Sequence, residues 1–116
     1  MRFGGERHPL FEKGLQEFRA GRPFEAHEDW ERLWDESAGN DRVFLQGLIQ
    51  LAAACVHVGR GNPAPARRLF GLALAKLESI PEGFAPIPIE PLRRDLRSAL
   101  DADDLMPAHL ETLFRL

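Results

Sequence analysis

The run Val43-Phe44-Leu45-Gln46-Gly47-Leu48-Ile49-Gln50-Leu51-Ala52-Ala53-Ala54-Cys55-Val56-His57-Val58 decides how this chain folds. At helical spacing it is apolar nearly all round, which predicts a central, buried helix rather than an amphipathic surface one. Its only polar side chains are Gln46, Gln50 and His57. At about 100° per residue these fall within roughly 40° of one another. A narrow polar stripe on a buried helix must meet water, polar partners or a ligand, because an unpaired buried amide is costly. The run is shorter than a membrane span needs, and the stripe interrupts it, so no membrane partner is expected.

Upstream, Phe24-Glu25-Ala26-His27-Glu28-Asp29-Trp30-Glu31-Arg32-Leu33-Trp34 reads as a second helix. Ala26, Trp30, Leu33 and Trp34 share one side; Glu25, Glu28, Asp29 and Arg32 lie opposite. His27 and Glu31 break the partition, at the edge of the apolar arc or inside it. At i and i+4 their side chains meet. Both are expected to turn inward, towards the stripe on the central helix. Further upstream, Pro9 suits a first helical position, and Leu10, Phe11, Leu15 and Phe18 keep helical spacing to about Arg19. Ala20-Gly21-Arg22-Pro23 closes that helix, with Gly21 as a left-handed cap, and joins two antiparallel helices. Residues 1–8 have no pattern and are read as a mobile arm.

Ser37 to Asn40 reads as a loop, with Asn40 or Asp41 capping the central helix. Downstream, Gly59-Arg60-Gly61-Asn62-Pro63 is a strong break. Asn62 is placed to cap a fourth helix whose apolar face is Ala66, Leu69, Phe70, Ala73, Leu74 and Leu77. Residues 80–90 are too proline-rich for a helix and too apolar for a free linker, and are read as an extended strap. Pro91 opens a fifth helix with Leu92, Leu96 and Leu100 on one face. Its Arg93, Arg94 and Arg97 are expected on a solvated face. A last short helix is expected from about Leu105 to Phe114. No strand-like alternation or repeat is found. The fold class is all-α: a compact bundle of two antiparallel helical hairpins, a Pro-rich strap and one or two smaller C-terminal helices.

The length, 116 residues, is that of a single domain spanning the chain, and 44% hydrophobic residues supply a real core. A net charge of −3 argues against a nucleic-acid partner working through bulk electrostatics. The lone Cys55 fits a reducing, cytoplasmic setting and reads as a small core residue. Trp30 and Trp34 read as core aromatics, and His8 and His109 as solvated. No phosphate loop, C-x-x-C or G-x-S-x-G is present.

Three readings of the histidine–acid pair stand side by side. As a metal site, His27 and Glu31 supply two donors and His57 is the best third, for a divalent ion such as Zn or Mn. Gln50 lies about 10 Å from His57 along the helix at 1.5 Å per residue, too far to share an ion. As a metal-free pocket, the same side chains bind a small molecule. As a structural network, Glu31 accepts from His27, Gln50 or Gln46 bridges, and the group sets helix register.

The motifs His27-Glu28-x-x-Glu31-x-x-Trp34, Gln46-Gly47-x-Ile49-Gln50-x-Ala52-Ala53-Ala54-x-x-His57 and Gly61-Asn62, in that order, resemble the domain-of-unknown-function 309 family of small prokaryotic proteins. The resemblance covers roughly Phe11 to Leu77. It implies a compact all-helical domain, and brings the label "predicted metal-dependent hydrolase" attached to some relatives. The residues that match are His27, Glu28, Glu31, Trp34, Gln46, Gln50, His57 and Asn62. The functional expectation is therefore a polar His/Glu/Gln site. In a hydrolase, His27, Glu31 and His57 would hold the ion. Glu28 or Glu31 would take a proton, and Gln46, Gln50, Trp34 and Asn62 would line the ligand site. The alternative is a non-catalytic interaction module, since Gly21-Arg22-Pro23 with Ala26 mildly resembles tetratricopeptide-type helix pairs. An exposed groove lined by Trp30 or Trp34 would favour it.

Overall fold

Five helices follow one another: α1 (Pro9–Arg19), α2 (Pro23–Asp35), α3 (Gly39–Gly59), α4 (Pro63–Glu78) and α5 (Ile89–Asp101). The computed structural model describes residues 8–81, 88–102, 110 and 112. The arm at 1–7, most of the strap and most of the expected last helix, His109 included, lie outside the described residues.

Helix α1 starts on His8, whose Nδ1 accepts from the Leu10 N–H at 3.1 Å, so this imidazole is a cap rather than a solvated side chain. Phe11, Leu15 and Phe18 form its buried stripe. The helix ends where Gly21 takes φ +78, a left-handed conformation that glycine adopts without steric cost. Arg22 Nε then reaches back to Glu17 at 2.8 Å, and its hydrogen bond holds the Glu17 carboxyl below the usual range.

Helix α2 folds back along α1 and buries Ala26, Trp30 and Leu33. Asp29 does not lie on the solvated side. It is 4% exposed and paired with Lys13 Nζ of α1 at 2.9 and 3.1 Å. Packing of α1 over this flank covers the carboxylate, and a covered charge persists only with a partner. Trp30 is fully buried; its Nε1–H donates to the Phe11 carbonyl at 3.3 Å and its ring stacks on Phe18.

Helix α3 is the core helix. Phe44, Leu45, Leu48, Leu51, Ala52 and Ala54 are fully buried between α2 on one side and α4 on the other. It starts earlier than expected, at Gly39 after an Ala38 cap position that makes no side-chain bond, and neither Asn40 nor Asp41 caps it. With mean hydropathy 1.3 over an 18-residue window, it is long and apolar enough to cross a membrane by length and composition, contrary to the shorter run expected. Its packing on both flanks is what a bundle core helix requires.

The largest helix–helix contact is α3 on α4, where Ala66, Phe70, Ala73 and Leu77 face the core. Helix α5 packs on α4 through Leu92, Leu96 and Ala99. It begins two residues before Pro91, which sits in the first turn where no intrahelical donor is needed. Arg93 corrects the expectation of a solvated basic face. It is buried, its guanidinium donating to the carbonyls of Leu77 and Ile80 that end α4. Arg94 is exposed as expected, and Arg97 pairs with Glu78 and Glu90. Among the described residues there is no strand.

Cys55 is buried as expected, and loss of hydration pushes its thiol up to about 12. An unfolded thiol ionises nearer 9.0. The unfolded chain therefore releases this proton first, and stability is expected to fall as pH rises between those values. Labelling by a thiol reagent at pH 8 should be negligible in the native protein and rapid once it is denatured.

Candidate functional site

On α2, His27 and Trp34 are seven residues apart and share a stripe, with Glu31 between them. On α3, Gln46, Gln50 and His57 share another. Trp34 and Gln46 line one small open cleft of about 150 Å³, together with Arg42, Val43 and Lys76. That shared wall brings one residue of each stripe together between α2 and α3. Measured from the connection between these antiparallel helices at about 1.5 Å per residue, His27 stands level with Gln46 to Gln50 and His57 about 10 Å beyond.

His27 Nε2 lies 2.6 Å from Glu31 Oε1. Nitrogen and oxygen that close share a proton, so Nε2 is engaged with Glu31 and Nδ1 is the ring position left without a partner. The two partners are not buried alike: the His27 side chain is 25% exposed and Glu31 50%. Glu31 thus corrects the expectation that both turn inward, because at the edge of the α2 arc its carboxylate reaches water. The imidazole does turn in. Its Nδ1 is buried, with Phe24 stacked on the ring at 6.0 Å.

Three buried side-chain polar atoms have no hydrogen-bond partner among the described residues: His27 Nδ1, Gln50 Oε1 and His57 Nδ1. The first lies on the α2 stripe and the other two on the α3 stripe. Neither Gln46 nor Gln50 bridges to the His27–Glu31 pair, so the register-setting network is not formed as expected. Glu31→Ala is accordingly expected to change stability by less than about 1 kcal/mol, as for an exposed ion pair. A buried pair would lose about 3–5 kcal/mol. Urea denaturation of the variant decides between the two.

Among the described residues no three His, Cys, Asp or Glu side chains converge to hold a metal. The donor set His27, Glu31 and His57 is therefore not assembled: Glu31 faces outward, and His57 stands well along α3. Glu28 is exposed. Asn62 is exposed in the turn before α4; its backbone N–H donates to the His57 carbonyl at 2.9 Å, while its side chain makes no cap bond. Trp30 belongs to the core and not to any groove. Trp34 is half-buried, with the Arg42 guanidinium 3.6 Å from its ring centroid.

Arg42 and Lys76 were not legible as site residues. Lys76 reaches the cleft from α4, and nothing in the spacing of either segment marks that meeting. Arg42 follows Trp34 across a short loop, which is the only local signal. A family model described as Domain of unknown function (DUF309) matches residues 11–69, more than half of the chain: most of α1, all of α2 and α3, and the start of α4. No curated protein matches it.

Proposed function

The chain belongs to the DUF309 family, and on that footing we propose that it binds a small polar molecule at the α2–α3 seam. The ligand presents N–H or O–H donors. His27 Nδ1 and Gln50 Oε1 receive them at one end of an elongated ligand and His57 Nδ1, about 10 Å further along α3, at the other, while Glu31 holds the His27 ring in the tautomer that leaves Nδ1 bare. The observation that carries this reading is the coincidence of the unpartnered buried polar atoms with these three side chains. A buried acceptor left without a donor costs about 1–3 kcal/mol. Sites that bind ligands commonly carry such a cost.

The test follows from that cost. Gln50→Met keeps the side chain's length and removes the unpaired carbonyl. It is expected to raise stability by about 1 kcal/mol and to abolish binding of donor-bearing fragments. The readout is a fragment screen of amines, amides and polyols, monitored by NMR at the His27 and His57 ring protons. Saturable shifts at both rings in the native protein, absent in Gln50→Met, support the reading. A gain in stability with no fragment shifting either ring removes it.

Metal-assisted hydrolysis is the second reading, supported by the carboxylate-oriented imidazole, an arrangement common among metal-ligating histidines. The donors present do not fit a resident catalytic zinc, which takes three protein ligands. Protein purified without an affinity tag should then contain no stoichiometric metal, and its melting temperature should not move on adding Zn²⁺ or Mn²⁺. Stoichiometric metal lost in His27→Ala would restore the hydrolase reading.

A further inference from the structure

The cleft where α2, α3 and α4 meet has a chemistry of its own. Its walls are the Trp34 ring, Val43, the Gln46 amide, and two cations, Arg42 and Lys76. Arg42 lies over the indole face, and its Nη1 donates to the Trp34 and Ser37 carbonyls at 3.4 and 3.3 Å. Its Nε and Nη2 protons have no acceptor among the described residues. Lys76 likewise has no carboxylate within ion-pair distance among them. Lys13, Arg22, Arg93 and Arg97 each have a carboxylate partner, and Arg32, Arg60, Arg68 and Arg94, which have none among the described residues, are exposed to water; Arg42 and Lys76 differ from both groups. Both are partly buried, which costs them hydration that an anion would replace.

We propose that this cleft binds the oxyanion group, carboxylate or phosphate, of a small acid. The planar guanidinium offers the paired donors that oxyanions accept in a fork, and the ammonium supplies a second charge. Gln46 adds an amide donor and Trp34 a flat apolar wall. The volume, about 150 Å³, is below the ~300 Å³ of pockets that enclose drug-sized ligands. The cleft therefore takes the anionic end of a ligand, or a free small anion, and not a nucleotide. The cleft and its cations carry this inference independently of the three unpartnered seam atoms, so either can fail alone.

The test uses the Trp34 indole N–H resonance, with that of fully buried Trp30 as internal reference. Inorganic phosphate, acetate and benzoate are titrated separately at constant ionic strength, with chloride as the compensating anion. A saturable shift of Trp34 alone is expected. It should weaken about ten- to hundredfold in Arg42→Gln and in Lys76→Gln, the loss typical of one charge-assisted hydrogen bond. Tighter binding of benzoate than of acetate identifies an aryl or apolar acid held against the ring. Tighter binding of phosphate identifies a phosphate group. Lys76→Gln changes a side chain that makes no hydrogen bond among the described residues, so its folding is secure even where Arg42→Gln loosens the loop. Shifts that match those in chloride, or that persist unchanged in Lys76→Gln, overturn the proposal.

Discussion

Gly14→Ala is expected to destabilise the protein by about 2–3 kcal/mol, the range of core overpacking. This comes after alanine's helix-propensity advantage of about 1 kcal/mol has been subtracted. A Cβ at position 14 would stand 2.2 Å from Trp30 Nε1 and 2.6 Å from two further indole atoms. The indole cannot give way cheaply. It is fully buried, stacks on Phe18, and donates to the Phe11 carbonyl one turn before the glycine. Displacing it separates α1 from α2 and breaks that bond. The control is the same substitution in α4: nothing lies within 4 Å of a Cβ built on Gly71. Gly71→Ala should stabilise by about 0.5–1 kcal/mol. Opposite signs for two identical substitutions, read from urea midpoints, are the expected result. A neutral Gly14→Ala would mean that Trp30 does not pack where the structure places it.

Arg93→Met should cost about 3 kcal/mol, because it removes several charge-assisted bonds made by a buried guanidinium. Nε and Nη2 both donate to the Leu77 carbonyl, and Nη2 also to that of Ile80. The Leu77 carbonyl, in the last turn of α4, otherwise receives backbone N–H groups from just beyond the helix, such as that of Ile80 at 3.3 Å. Arg93 thus closes α4 and pins α5 to it, with Glu90 3.3 Å away to balance the charge. Arg93→Lys should recover little, since an ammonium cannot form the same fork. Arg94→Ala, one residue on and exposed, should lie within about 0.5 kcal/mol of the native protein. Equal effects at 93 and 94 would return both to a solvated face.

Helix existence was legible because it rests on local rules. Phe11, Leu15 and Phe18 recur at one-turn spacing, Pro9, Pro23 and Pro63 open helices, and Gly21 and Gly61 accept positive φ. The misread points share a different cause. Asp29, read as lying opposite the core, and Glu31 and Arg93, at the edges of their arcs, show that a helical wheel gives an angle but not what covers it. Asp29 is buried because α1 lies over it, Arg93 because α4 ends beside it, and Glu31 is exposed because no element reaches it. The start of α3 at Gly39, ahead of both expected caps, shows the same limit: a buried helix is held by packing and can dispense with a side-chain cap.

From the amino-acid order alone came an all-helical chain, the identity of its core helix, and the two stripes that carry the imidazoles and amides. Those follow from periodicity, which each segment holds within itself. Only the packed structure decided that Glu31 faces water, that no three metal donors converge among the described residues, and that Arg42 and Lys76 meet beside Trp34. Such facts depend on which helix covers which flank, and covering is a property of pairs of helices that no single segment encodes.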